Sequence, residues 1–592
     1  MIPYLSKKTL SYFLILTLLG NIEGLQAQKL DTVKTYRHAV VVSASVLASQ
    51  VGSKILERGG STIDAAIGVQ FALAVVFPQA GNIGGGGLMV IRTQNRNKKG
   101  VFNSPQYYSL DYRETAPAMA SRNMYLDTHG EVIKGQSTED IRASGVPGVV
   151  DGMVEAHKRF GKLNWKSLVD PAVELARDGF VLTEQEAAAL NSRKEIFIKL
   201  NGPKCPFVKT DGPWKAGDKI LQPELAHTLE LIAEKGRSGF YEGEVADRLI
   251  SQMQVPVKDS LKGLISLKDL KNYHSKWRDP ISQMYKGYKV ITMAPPSSGG
   301  ISLFQLLSLV QNYPISQYGF ASSSYIHLVV EAQKRVFADR SYYLGDPDYV
   351  QVPTRTLLSP SFLTNRFLDY DSAKAKPSSE IKPGLIENYG DIKSHIRKES
   401  EETTHFSIAD ADGNAVSVTT TLNGGFGSGV VAQGSGFLLN NEMDDFSIKP
   451  GVANIYGLIG GEANAIQPGK RMLSSMTPTI LDSGNHLYMV VGSPGGSTIP
   501  NTVFQTIMNV LEFKMGMQEA VAAPRFHSQW LPDKIFLEKN FLKEEVTKKL
   551  ESEGHSFVVR GGIGRCDAIR VNSKGILEPG ADPRGDDQAY GY

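Results

Sequence analysis

Residues 403–421 limit the possible folds of this chain more sharply than any other stretch. Thr403-Thr404-His405-Phe406-Ser407 is followed by the turn Asp410-Ala411-Asp412-Gly413 and a second strand-like run, Ala415 to Thr421. An Asp-Gly turn between two β-rich runs specifies an antiparallel hairpin. Pairing across a loop of about two to four residues sets Thr403 opposite residue 420, 421 or 422, with Thr421 the middle choice. A long polar segment ends at Glu402, so the hairpin begins where a chain can be cut. A threonine released at its amino end carries nucleophile and base on one residue, because the α-amine can take the proton of its own hydroxyl.

Composition excludes several classes. With 41% apolar and 21% charged residues, the chain is an ordinary globular one with enough length for a large core. Its net charge of +3 falls by one when a leader carrying Lys7, Lys8 and Glu23 is removed. No dense basic run accompanies so small an excess, which argues against nucleic-acid and membrane-surface binding. Residues 1–27 read as an export signal: Lys7-Lys8, the apolar run Leu10 to Leu19, and a cleavage site at Leu25-Gln26-Ala27. That run is too short to span a bilayer, which needs about 20 apolar residues. A periplasmic or secreted protein without stable membrane insertion is expected. Cys205 and Cys566, the two cysteines, read as buried thiols rather than a disulfide.

Along the chain, helix and strand signals alternate before residue 371. Helical patterns cover Leu47 to Arg58, Ala65 to Phe77, Gly148 to Arg159, Leu168 to Arg177, Glu224 to Lys235, Val245 to Met253 and Ile301 to Leu309, and Leu88 to Ile91 reads as a buried strand. Gly81 to Gly87 is too rich in glycine for either element. Pro295-Pro296-Ser297-Ser298-Gly299-Gly300 breaks the chain. Residues 372–402 are polar and read as an exposed, mobile connection. Strands follow at Thr404 to Ile408, Ala415 to Thr421, Thr479 to Leu481 and Leu487 to Gly492, then a helix from Thr502 to Glu512. Strands in the centre with helices on both sides imply a layered α+β sandwich.

Several segments, in order, closely resemble the γ-glutamyltranspeptidases. They are Thr403 to Ser407, Asn440-Asn441-Glu442-Met443-Asp444-Asp445-Phe446, Ser474-Ser475-Met476-Thr477-Pro478 and Gly492-Ser493-Pro494-Gly495-Gly496-Ser497. Pro78 to Gly87 and Leu110-Asp111-Tyr112-Arg113-Glu114 resemble the same family upstream. The resemblance implies the four-layer αββα fold of the N-terminal nucleophile hydrolases, built jointly by a large fragment, residues 28–402, and a small one, residues 403–592. Thr403 would attack a γ-amide carbonyl after the chain cuts itself before Thr403, and Thr421 would hold its hydroxyl. The backbone N–H groups of Gly495 and Gly496 would hold the oxyanion. Pro fixes one φ and paired glycines let two N–H groups point the same way, which suits that task.

The remaining site residues follow from the same resemblance. A γ-glutamyl group ends in a zwitterion, so it needs a cation and hydroxyls for its carboxylate and an anion for its ammonium. Arg113, Ser474 and Ser475 match the carboxylate positions, Asp445 the ammonium position, and Asn423 and Glu442 further contacts; Tyr456 matches a lid-loop tyrosine. The expected donor is a small γ-glutamyl compound such as glutathione, with water or an amino-acid or peptide amine as acceptor. Neither cofactor nor metal is implied. Related alternatives are a cephalosporin or glutaryl acylase, whose acyl group lacks the ammonium, and a relative that cuts poly-γ-glutamate. A secreted binding protein without catalysis is the alternative from another class. Gly81 to Gly87 does not fit a dinucleotide loop, and zinc-protease and nucleophile-elbow motifs are missing. His405 and His527 are assigned structural roles.

Overall fold

The computed structural model describes residues 34–96, 100, 102–255, 261–386, 395–398, 403–449 and 457–592, with 395–398 and 457–460 described by backbone alone. The leader, Glu402 and Tyr456 lie outside the described residues. Two antiparallel sheets carry the architecture. Their strands are β1 (Ala39–Ser43), β2 (Gly86–Thr93), β3 (Gln106–Asp111), β4 (Lys276–Arg278), β5 (Ile281–Tyr285), β6 (Tyr288–Thr292), β7 (Thr404–Asp410) and β8 (Ala415–Thr421). They continue with β9 (Thr479–Ser483), β10 (His486–Gly492), β11 (Asp567–Val571), β12 (Leu577–Gly580) and β13 (Gln588–Gly591). One sheet runs β13-β1-β7-β8-β2-β3-β4 and the other β12-β11-β10-β9-β6-β5.

Alternation of side chains along the strands separates the layers. Val41, Met89, Ile91, Phe406, Ile408, Val416 and Val418 join a core with α1 (Val46–Glu57), α2 (Thr62–Val76), α3 (Lys166–Asp178) and α4 (Pro223–Lys235). Their neighbours Val40, Val42, Leu88, Val90, Ala409 and Ala415 face the other way and meet Ile291, Ile480, Val490 and Ile569 of the second sheet. That sheet's far face, with Val290, Leu481, Met489 and Val491, packs on α5 (Gly299–Val310), α6 (Ser323–Tyr343) and α7 (Ile499–Leu511). The result is helix, sheet, sheet, helix. Helix α2 starts on a capping box, with Ser61 Oγ accepting from Asp64 N and Asp64 accepting from Ser61 N.

Two sequence readings change, and one long helix had no reading at all. Gly86 and Gly87 belong to β2, where they pair with Thr421 and Thr420. Glycine is needed there for close approach: a Cβ on Gly86 would stand 2.4 Å from Glu114 Oε2, and one on Gly87 2.6 Å from the Tyr112 ring. Residues 371–386 are not a free connection. Ala375 N donates to Glu553 O at 2.7 Å, Ser378 N to Asp533 Oδ2 at 2.8 Å, and Gly384 N to Asp339 Oδ1 at 2.7 Å. Distant carboxylates and carbonyls satisfy a backbone whose own side chains are polar, so composition misrepresents its attachment. Helix α6 carries no apolar stripe visible in sequence, because its buried face includes Glu331, Lys334, Arg335, Asp339 and Arg340. Among the described residues, no helix is long and apolar enough to cross a membrane. Both cysteines are free and buried.

Candidate active site

The hairpin sets the site. β7 pairs with β8 so that Thr404 faces Thr420, which puts Thr421 across from Thr403. Thr403 Oγ1 lies 3.4 Å from Thr421 Oγ1, and Thr421 Oγ1 accepts from Asn423 N at 2.8 Å. Thr403 is 8% exposed. His405, two residues along, is buried between Thr419 Oγ1 at 2.9 Å and Ser407 Oγ at 3.1 Å. Burial lowers its pKa to about 3, so the ring is neutral and belongs to the packing between the sheets. His527 is held by Asn501 and Gln529.

Two cavities meet at Thr403. The first is lined by Arg113, Thr403, Thr421, Asn423, Asp445, Ser474, Ser475 and Gly496. The second is lined by Thr403, Phe77, Pro494, Gly495, Arg560 and Arg565. Gly495 and Gly496 follow β10 and precede α7. Their φ values of 126° and 54° lie where side chains are disfavoured. The first N–H groups of a helical turn have no acceptor within it, and such groups favour negative charge. A tetrahedral oxyanion at Thr403 fits that position chemically.

At the wall of the first cavity and behind it, three carboxyl groups surround the Arg113 guanidinium. Arg113 Nη1 is 2.6 Å from Glu442 Oε2 and 3.4 Å from Glu114 Oε2, and Arg113 Nη2 pairs with Asp445 Oδ2. Burial opposes the charge on Arg113, but Glu442, Glu114 and Asp445 outweigh it and hold the group protonated. Burial pushes Glu442 and Glu114 above the usual carboxylate range, against the pull of Arg113. The Arg113–Asp445 pair therefore sets opposite charges in contact at the wall of the cavity that reaches Thr403.

Sequence reasoning named Asn423 and the 440–446 segment but gave no support role to Ser298 or Arg340, which help hold this cavity in shape. Ser474 N donates to Pro296 O at 3.0 Å and Ser298 N to Ser474 O at 2.7 Å, so the 295–300 loop braces Ser474. Arg340 Nη2 donates to Ser475 Oγ at 3.0 Å and its Nε to Ser298 Oγ at 2.9 Å. Asn423 Nδ2 donates to Asn441 O at 2.9 Å. Asn440 Nδ2 bridges Gly84 O and Gly145 O at 2.8 Å each, locking the glycine loop to the loop that bears Glu442 and Asp445. The Pro-Pro-Ser-Ser-Gly-Gly cluster was a signal for the brace; Arg340, inside a long helix, offered none.

A chain that opens a strand on a buried threonine, sets a second hydroxyl beside it, and places paired glycines next to it has the layout of an N-terminal nucleophile hydrolase. The gamma-glutamyltranspeptidase family matches residues 48–592, and the chain belongs to that family. A relative named glutathione hydrolase proenzyme from Escherichia coli (strain K12) is 44% identical over 558 residues, covering 94% of this chain and 92% of that protein. The crystal structure of Helicobacter pylori gamma-glutamyltranspeptidase superposes with a TM-score of 0.54 at 39% identity, covering 59% of this chain and 96% of that one. Cephalosporin acylase from Bacillus halodurans superposes with a TM-score of 0.79 at 25% identity, covering 96% and 98%.

Proposed function

We propose that this is an exported γ-glutamyltranspeptidase and glutathione hydrolase that matures by cutting its own chain before Thr403. One observation carries the reading: Thr403 opens β7 beside Thr421 and faces a cavity containing Arg113, Asp445, Ser474 and Ser475. Maturation begins when the Thr403 hydroxyl attacks the Glu402 carbonyl; the peptide bond shifts to an ester, and water hydrolyses it. The products are residues 28–402 and 403–592, which remain paired because both contribute strands to the same sheet. The coverage of the H. pylori chain, 59% of this chain, supports a separate large fragment.

The freed α-amine then acts as base, with an ordinary pKa of about 7.7–8.0. It takes the hydroxyl proton as Oγ1 attacks the γ-amide carbon of the donor. Negative charge collects on the carbonyl oxygen and is held by the Gly495 and Gly496 N–H groups. The C–N bond breaks, the amine leaves with the proton, and a γ-glutamyl ester remains on Thr403. Water releases glutamate from that ester; an amino-acid or peptide amine forms a new γ-glutamyl amide. Arg113, Ser474 and Ser475 hold the donor's α-carboxylate, while Asp445, supported by Glu442 and Asn423, holds its α-ammonium. Tyr456 is assigned to a lid over the donor.

An acylase reading draws support from the superposition with cephalosporin acylase. The acidic surroundings of Arg113 favour a donor that brings an ammonium, which a glutaryl group lacks. Purified protein incubated with glutathione, with and without an acceptor dipeptide, tests the proposal. Glutamate release without acceptor and a new γ-glutamyl peptide with it are expected. Faster cleavage of glutaryl than of γ-glutamyl amides would replace this reading with the acylase one.

A further inference from the structure

Three buried side chains outside the active site converge on one point. His327 lies on α6, and Glu553 and His555 follow α8 (Glu544–Ser552). His327 Nδ1 stands 2.7 Å from His555 Nε2 and 3.9 Å from Glu553 Oε2, and all three atoms lie within 4.8 Å of one another. His327 is 1% exposed, Glu553 6% and His555 7%. The other ring nitrogen of His327 meets the Asp371 carbonyl at 2.8 Å. A carbonyl only accepts, so Nε2 carries a proton there, and Nδ1 is the ring nitrogen that faces the other two groups. Metal-binding imidazoles are commonly oriented in this way, with the distal N–H on a backbone carbonyl.

Glu553 supplies a second, independent sign. Its Oε2 is buried and has no hydrogen-bond partner among the described residues, whereas Oε1 is 3.2 Å from Lys549 Nζ. A buried carboxylate oxygen without a partner is unfavourable and calls for a ligand.

The geometry points to a zinc-type divalent metal site formed by His327 Nδ1, His555 Nε2 and Glu553 Oε2, with a solvent oxygen as fourth ligand. Two imidazoles and one carboxylate suit Zn²⁺ and similar transition metals, whereas Mg²⁺ and Ca²⁺ prefer all-oxygen sets. The neighbouring cations Lys334 and Lys549 disfavour an ion held by charge alone, and Asp533 only partly offsets them. The 2.7 Å contact is that of a hydrogen-bonded histidine pair in the metal-free state, with His555 Nε2–H donating to His327 Nδ1. On binding, the His555 proton moves to its other nitrogen. The two nitrogens part to about 3.3 Å, the separation of ligands placed about 2.0–2.1 Å from a tetrahedral ion.

The site joins segments from either side of Thr403. His327 and Asp371 precede it, Glu553 and His555 follow it, and Ala375 N donates to Glu553 O at 2.7 Å. An ion there fastens residues 371–375 to the end of α8. Its role as a clamp between two separate fragments, unlike the site itself, rests on the cleavage proposed above. No contiguous motif announces it, since one ligand is more than 200 residues from the other two.

The full-length mature protein, stripped with a chelator, tests the site when dosed with Zn²⁺, Mg²⁺ or Ca²⁺. One tightly held zinc per chain and a rise in Tm of about 2 °C or more are expected with Zn²⁺ alone. Glu553→Gln and His555→Gln should lose both while keeping glutathione hydrolysis. Loading the unmutated protein with Co²⁺ gives a check that needs no variant: a four-coordinate site produces strong visible absorption, which excess Zn²⁺ abolishes. Failure of the wild type to retain zinc, an equal Tm rise in the variants, or a colourless Co²⁺ form would overturn the proposal.

Discussion

The two cavities that meet at Thr403 differ in size and in the atoms they present. On one side, about 20 Å³ of space is bounded by Arg113, Asp445, Ser474, Ser475 and Asn423. On the other, about 150 Å³ is bounded by backbone at Pro494, Gly495, Gly562 and Gly564, with Phe77, Arg560 and Arg565 at its wall. The first is small because its charges already satisfy one another: Arg113 pairs with Glu442 and Asp445. A donor bound there, as proposed, would have to replace those pairs with equivalents of its own, which a zwitterion can do. The second side asks little of its occupant. On the proposed reading, such an enzyme would be strict about the acyl group and tolerant of the amine that leaves or arrives.

Removing charge from the strict side should have the largest effect. Asp445→Ala leaves Arg113 and the donor's ammonium short of a partner, a loss of about 3–5 kcal/mol for γ-glutamyl substrates. Glutaryl amides should lose far less. Equal losses on the two substrate classes, measured as kcat/KM, would show that Asp445 serves the fold rather than recognition. On the backbone side, Gly495→Ala adds a Cβ that would stand 2.4 Å from Thr498 Oγ1, at a φ of 126°. Displacing the N–H donors should cost about 2.7–4 kcal/mol in kcat. KM should change little, and the loss should be the same for every leaving group.

Smaller effects belong to the hydroxyl that stands between the two sides. Thr421→Val keeps the β-branched shape and deletes the 3.4 Å contact with Thr403 Oγ1. A loss of about 0.5–1.5 kcal/mol in turnover, with slower maturation on a denaturing gel, is expected. Wild-type rates in both assays would remove Thr421 from the mechanism. A separate effect concerns stability rather than turnover. Burial lowers the His405 pKa from 6.5 to about 3, so below 6.5 the unfolded chain binds a proton that the folded one does not. Stability should therefore fall as pH drops from 6.5 toward 3. His405→Asn should flatten that slope in chemical denaturation measured across the range.

The sequence exposed the strict side and the hairpin more fully than the supports behind them. Strand alternation and the Asp412-Gly413 turn narrow the partner of Thr403 to residues 420–422, because hairpin register is local, and the observed register selects Thr421. The family-like segments around Arg113, Asp445 and Ser474 are contiguous runs, so they can be read without a fold. Arg340 and Ser298 are different. They act through contacts spanning 42 and 176 residues, and nothing in their immediate neighbours marks them. Gly86 and Gly87, which open β2, were read as loop because glycine is rare in strands; their purpose, room for Tyr112 and Glu114, depends on the segment that follows β3. The 371–386 segment misled for the same reason, since its partners are Asp339, Asp533 and Glu553.

Everything proposed for catalysis depends on Thr403 having a free amine. Intact-mass measurement of the purified wild type and of Thr403→Ala tests that directly. The wild type should resolve into two fragments without added protease, one of them beginning at Thr403. The alanine variant, which has no hydroxyl to attack the preceding carbonyl, should remain one chain and release no glutamate from glutathione. An uncut wild type that still hydrolyses glutathione, or an alanine variant cut at the same bond, would contradict the proposal.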